Sequence, residues 1–286
     1  VMIKGALWAA RAWRPLAAAW LGLAWLGLAV SPADAARRAV PEELADGFAA
    51  ADRSGEGDAA VAGALREARE ASAAHAAAGP EASARGLTRE GRAGMPSVSL
   101  AYPAFGVAAV DEDIRLWAES IAATFERELT ANSGGSEDVE NYQLTCTYDV
   151  SRPSADAVSV AFDIWTYTGG AHGNLDIITL NYSLITGQRL TLVDLFEDVD
   201  KALAIMSVTS REVLMRRLGG GVGEQMILDG TEPEADNFSS LSLEPGGVRI
   251  HFQPYQVAPW SAGAQSVTMT LDQLAPARPF RRLWHR

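Results

Sequence analysis

The chain has few of the residues from which extracellular scaffolds and common catalysts are built. Cysteine occurs once in 286 residues, at Cys146, so no intrachain disulfide can form even in an oxidising compartment. It falls in an alternating run and is expected to be a small buried hydrophobe. Histidine occurs only at positions 75, 172, 251 and 285, with no HExxH and no paired spacing that would mark a zinc site. No GxSxG elbow is present, which removes the common signature of a nucleophilic serine. The glycines at 219, 220, 221 and 223 lack the Lys-Ser/Thr ending of a phosphate-binding loop and fit the end of a helix. Basic side chains are outnumbered, 24 against 36 acidic, for a net charge of −12. That sign argues against nucleic acid and favours cationic proteins as partners. Aromatic residues are almost missing from 36–94, where only Phe48 occurs.

The N-terminal stretch sets the expected compartment. Lys4, Arg11 and Arg14 precede an apolar run over 16–30, and Ser31-Pro32-Ala33-Asp34-Ala35 follows with small residues where a signal peptidase cuts. Cleavage is expected after Ala35, giving a periplasmic or secreted protein; the alternative is a retained membrane anchor. No cysteine follows the apolar run directly, so a lipoprotein anchor is not expected there. Removing residues 1–35 takes away three basic residues and Asp34, which leaves 21 against 35 and a charge near −14. Residues 36–94, rich in Ala, Arg, Glu and Gly, have too little apolar bulk to offset the entropy of ordering and are expected to be a linker, helical at most over 59–78.

The folded part is expected to start near Met95. Val98, Leu100 and Tyr102 alternate with polar or small neighbours as a first strand, and Ile114, Trp117, Ile121, Phe125 and Leu129 make one apolar helical stripe behind Asp111, a plausible N-cap. Tyr142, Leu144, Cys146, Tyr148 and Val150 alternate as the next strand. Strands are then expected over 159–167, 175–184 and 188–192, a second helix over 198–218, and three closing strands over 238–243, 248–252 and 265–271. A basic tail from 276 is expected to be loosely held. The fold class is α+β: antiparallel β-sheets with two main helices packed on them.

The sharpest local signal is 159–174, SVAFDIWTYTGGAHGN. Val160, Phe162 and Ile164 point one way while Trp165 and Tyr167 point the other, and the strand runs into a loop in which Gly169, Gly170 and Gly173 surround His172. The three glycines and Asn174 suit positive φ values and a shaped turn. His172, with Asp163, Asp176 and His251 as the other candidate ligands in the folded part, offers no metal constellation, so no metal and no cofactor is expected. His172 is expected to bond backbone groups of its own loop; the alternative is a hydrolytic centre at His172. A second aromatic loop, QPYQVAPWSAG over 253–263, sets Tyr255 and Trp260 around Pro259 on a proline-stiffened segment. Such rings give contact area at low entropic cost, for a protein or for sugar rings, or else plug the end of the sheet.

Three motifs in order carry a resemblance: YTGGAHGN over 167–174, TGQRLTLVDLF over 186–196 and FQPYQVAPWSAG over 252–263. Together they resemble the C-terminal extracytoplasmic domain family shared by the lysozyme-responsive anti-sigma factor RsiV and by PdaC-type peptidoglycan deacetylases. The resemblance places that domain at 169–275 and its usual companion subdomain at 95–168. It implies an extracytoplasmic α+β domain and, in RsiV-like members, binding to lysozyme. The expected function is a non-catalytic exported envelope module that recognises a lysozyme-like muramidase or peptidoglycan, with Tyr167, His172, Asn174, Tyr255, Pro259 and Trp260 as candidate binding residues. The alternatives are an envelope hydrolase and a membrane-tethered sensor.

Overall fold

The computed structural model describes residues 82–92, 94–132, 137–170, 172–219 and 223–284. The expected signal segment 1–35 and the helical stretch 59–78 lie outside the described residues.

Two sheets and two hydrophobic cores organise the described residues. Strands β1 (Ser83–Arg89), β2 (Ser97–Ala104), β3 (Gln143–Ser151), β4 (Ala157–Tyr167) and β5 (Asn174–Ser183) form a five-stranded sheet in sequence order. Strands β6 (Leu241–Glu244), β7 (Gly247–Phe252) and β8 (Gln265–Thr270) form a three-stranded antiparallel sheet. Helix α1 (Ala108–Asn132) covers the first sheet. Short α2 (Leu192–Leu195), long α3 (Val199–Leu218) and α4 (Glu224–Gly230) follow, with α3 packed on the second sheet. A last short helix, α5 (Leu271–Leu274), succeeds β8. This is the α+β architecture expected from the hydrophobic pattern, with one departure. The pair β2–β3 is parallel, since α1 carries the chain back over the sheet between them. Among the described residues no helix is long and apolar enough to cross a membrane.

The apolar stripe of α1 behaves as its spacing predicts. Ile114, Trp117, Ile121, Phe125 and Leu129 are buried against Val98, Leu100, Leu144, Cys146, Val160, Phe162 and Ile164. Trp117 lies on Phe162, ring centroids 4.2 Å apart, and burying a ring of that size is worth roughly 1.5–3 kcal/mol. Asp111 sits inside the first turn rather than ahead of it: its carboxylate reaches back to accept the N–H groups of Phe105 and Gly106 at 2.6 and 3.0 Å. Asp198 does cap α3, accepting from the Lys201 N–H at 2.9 Å.

Several expectations are corrected. Ser83–Arg89 falls in the stretch expected to be linker, yet pairs with β2 along its whole length. As an edge strand it needs no alternating apolar face: only Leu87, opposite Leu100, packs on the core, and backbone pairing holds the rest. A division at 168/169 would cut the β4–β5 hairpin, whose ten paired positions run from Thr166↔Asn174 to Ala157↔Ser183. The cores instead part beyond β5, one spanning Val98 to Tyr182 and the other built almost wholly from Leu195 onward. Residues 188–192 form no strand, only a bridge between Tyr182 and Arg189. The tail is not loose: Ala277, Leu283 and Trp284 are buried in the second core, and the Trp284 indole donates to the Gly247 carbonyl at 2.8 Å.

The motif TGQRLTLVDLF joins the two lobes. Gly187 takes φ 73°, and a Cβ there would stand 2.8 Å from that of Ala109 on α1. The Arg189 guanidinium and the Tyr182 hydroxyl both donate to one Asp113 carboxylate oxygen on α1, each at 2.7 Å. Thr191 and Asp194 form a capping box for α2, which delivers Leu195 and Phe196 to the second core. Buried polar groups complete the join. Ser159 accepts the Leu243 N–H at 2.7 Å and donates to Asn181, whose amide donates to the Leu241 carbonyl at 2.8 Å.

Candidate functional site

The two aromatic loops meet. Strand β4 puts Trp165 on the face of the sheet away from α1, because the alternation that buries Ile164 turns its neighbour outward. The 3-10 turn Trp260–Ala262, entered through Pro259, brings Trp260 to Trp165 with centroids 6.3 Å apart. His172 stacks on Trp260 at 4.9 Å and 18°, and Tyr255 stacks on it at 5.8 Å and 27°. Trp260 is thus the hub of a four-ring layer. Tyr255, at φ 66°, is its most open member, 38% exposed. The Trp260 indole N–H is buried with no hydrogen-bond partner among the described residues.

Each glycine of the first loop has a geometric reason. Gly169 and Gly170 take φ values of 84° and 102°, which side chains rarely adopt. Gly173 is needed for space: a Cβ there would fall 2.2 Å from the Trp165 ring. The Tyr167 hydroxyl donates to the Gly170 carbonyl at 3.2 Å, and Nδ1 of His172 lies 2.7 Å from the Gly173 carbonyl, so both side chains hold their own turn. A proton on Nδ1 makes that contact a hydrogen bond.

Two glutamines hold the second loop. The Gln253 side chain accepts the Ile177 N–H at 2.7 Å and donates to the Ile177 carbonyl at 2.6 Å, extending the β5 edge as a strand residue would. Gln256 donates to the carbonyls of Gly230 and Asn237, both at 3.0 Å. These bonds lift Tyr255 outward between them. Pro259 starts the Trp260 turn, its carbonyl accepting the Ala262 N–H at 2.9 Å.

Asn174 stands apart from the layer. It pairs with Thr166, on the α1 side of the sheet, where its amide donates to Asp176 at 2.9 Å. Asp163 and Asp176 lie on opposite faces of the sheet, opposite Ile177 and Ile164 respectively. Burial pushes each carboxyl up to about 6, with Asp149 adding to the effect at Asp163 and the Asn174 bond opposing it at Asp176. His251 sits on β7, its Nε2 2.9 Å from the Ser242 hydroxyl, and burial beside Arg249 lowers it to about 4. These candidate ligands do not converge, and among the described residues no three His, Cys, Asp or Glu side chains are grouped to hold a metal. Burial pushes the Cys146 thiol strongly upward, away from nucleophilic character.

Trp165, Gln253 and Gln256 are missing from the candidate binding residues read from the sequence, although Trp165 is placed there on the outward face of its strand. The outward phase of β4 marks Trp165, two residues before Tyr167. Nothing local marks the glutamines, whose partners at 177, 230 and 237 are distant in the chain.

The chain is 25% identical over 168 residues to the peptidoglycan-N-acetylmuramic acid deacetylase PdaC of Bacillus subtilis (strain 168), an alignment covering 59% of this chain and 36% of that protein. The chain therefore spans about a third of the length of that curated relative. In fold it is similar to the crystal structure of a DUF3298 family protein from Pseudomonas aeruginosa PAO1, with a TM-score of 0.52 at 16% identity, covering 73% of this chain and 98% of that one. Residues 193–272, which hold β6 to β8 and the Tyr255–Trp260 side of the aromatic layer, match the family described as Protein of unknown function (DUF3298).

Proposed function

We propose that the chain is a non-catalytic, exported binding module of the bacterial envelope that recognises peptidoglycan or a lysozyme-like muramidase. The observation that carries this reading is the four-ring layer of Trp165, His172, Tyr255 and Trp260, assembled from two lobes and open at Tyr255. Rigid rings held by a bonded loop suit recognition, since little entropy is lost on contact. The similarity to PdaC, a peptidoglycan deacetylase by name, supports the glycan side. The net charge of −12 supports the muramidase side, because lysozyme-like partners are basic. His172, with Nδ1 against its own loop carbonyl, supports a shaping role over a hydrolytic one.

Co-sedimentation of the protein with insoluble peptidoglycan, beside a pull-down with lysozyme at low and high salt, tests the reading. Association with at least one of them is expected. Binding to lysozyme should weaken steeply as salt screens the charges, whereas the ring-stacking part of glycan binding should not. Absence of both at low salt refutes the proposal.

A further inference from the structure

The aromatic layer borders a polar strip that no other part of the site uses. On the sheet face away from α1, cross-strand pairing sets Ser99 beside Thr145 and Thr145 beside Trp165. Asp163 stands on the same face two residues before Trp165, about 7 Å along the strand at the usual rise. No hydrogen bond or ion pair holds its half-buried carboxylate among the described residues. Asp149 lies diagonally next to it, opposite Ala161. Across this surface two indoles and a phenol adjoin an unpaired acid and side-chain hydroxyls.

Resting on the peptidoglycan reading above, we propose that this surface takes an amino-sugar ring whose amine is free: its apolar face lies on Trp165 and Trp260 beside Tyr255, and its ammonium pairs with Asp163. Three physical facts favour this occupant. A half-buried carboxylate without a donor gains most from a charged donor, and charge-assisted bonds are about twice as strong as neutral ones. A second acid on the same face makes a neutral or anionic ring a poorer fit than a cationic one. Aromatic faces attract a nearby cation through their quadrupole. The hydroxyl of Thr145, in the row beside Trp165, is placed to bond the ring's own hydroxyls.

Titration at pH 7 of the full protein with a β-1,4-linked glucosamine tetramer, its N-acetylated counterpart and cellotetraose tests the proposal, with tryptophan fluorescence or calorimetry as readout. The glucosamine tetramer is expected to bind at least tenfold tighter than either of the others. Asp163→Asn and Tyr255→Ala are each expected to weaken it at least fivefold while leaving thermal unfolding in place. Asp163→Asn should also erase the preference for the free amine. Equal affinity for the three tetramers, no binding, or binding unchanged by both variants overturns the inference. If the wild type still sediments with peptidoglycan in those cases, the envelope-binding reading stands alone. If it binds the glucosamine tetramer through Asp163 but neither peptidoglycan nor lysozyme, the subsite stands and that reading falls.

Discussion

The imidazole of His172 lies nearly flat on the indole of Trp260, centroids 4.9 Å apart and planes 18° from parallel. One ring belongs to the β4–β5 loop and the other to the β7–β8 loop, so this contact joins the two sheets at their aromatic end. Its geometry depends on Gly173, which gives Trp165 room behind it.

Gly173→Ala is therefore expected to be costly. The added methyl would meet the Trp165 ring at 2.2 Å and the Thr166 carbonyl at 2.7 Å, and neither can retreat without moving β4. A loss of about 1–3 kcal/mol is expected, the usual range for overpacking. Urea unfolding gives the magnitude, and near-UV circular dichroism should show the tryptophan environment change.

Gln253→Leu keeps the bulk of the side chain and removes both bonds to Ile177. The Ile177 carbonyl keeps the Ser240 hydroxyl at 2.7 Å, but the stranded N–H should cost about 1–3 kcal/mol. Hydrogen exchange at the Ile177 amide should accelerate in step, and an unchanged rate would show that the amide pairing contributes little.

Asp113→Ala tests the clamp between α1 and the turn after β5. The Tyr182 hydroxyl and the Arg189 guanidinium lose their shared acceptor, with an expected cost of about 1–3 kcal/mol. Adding Arg189→Ala to that variant should cost clearly less than Arg189→Ala does alone. Full additivity of the two in a double-mutant cycle would mean that the pair is not coupled.

The dependence of stability on pH should show two opposed contributions. Burial holds His251 near 4, below the ~6.5 of an unfolded histidine, so its contribution is present above about 6.5 and lost as pH falls through 4. Asp176 runs the other way. Raised to about 6, its contribution is present below about 3.9 and lost as pH rises through 6. Asp176→Asn is expected to shift the urea midpoint upward more at pH 7 than at pH 4, whereas His251→Gln should lower it more at pH 7 than at pH 4. Equal offsets at both pH values would refute either assignment.

Much of this protein follows from the order of its residues alone. Period-two alternation in β3 and β4 and the three- and four-residue stripe of α1 place their core faces correctly, because burial of one face is a local pattern. The glycine loop is legible for the same reason: positive φ leaves a mark on residue choice at the site itself. Other features leave no local mark. Strand β1 is a polar edge held by backbone bonds, and Trp284 joins a core whose other members lie far away in the chain, its indole satisfied by the Gly247 carbonyl. The convergence of His172, Trp165, Tyr255 and Trp260, and the exclusion of Asn174 from that group by a single step of strand phase, were decided by tertiary structure. Such contacts depend on how two sheets dock, and docking is set by Gln253, Ser159 and Asn181, whose partners lie far away in the chain.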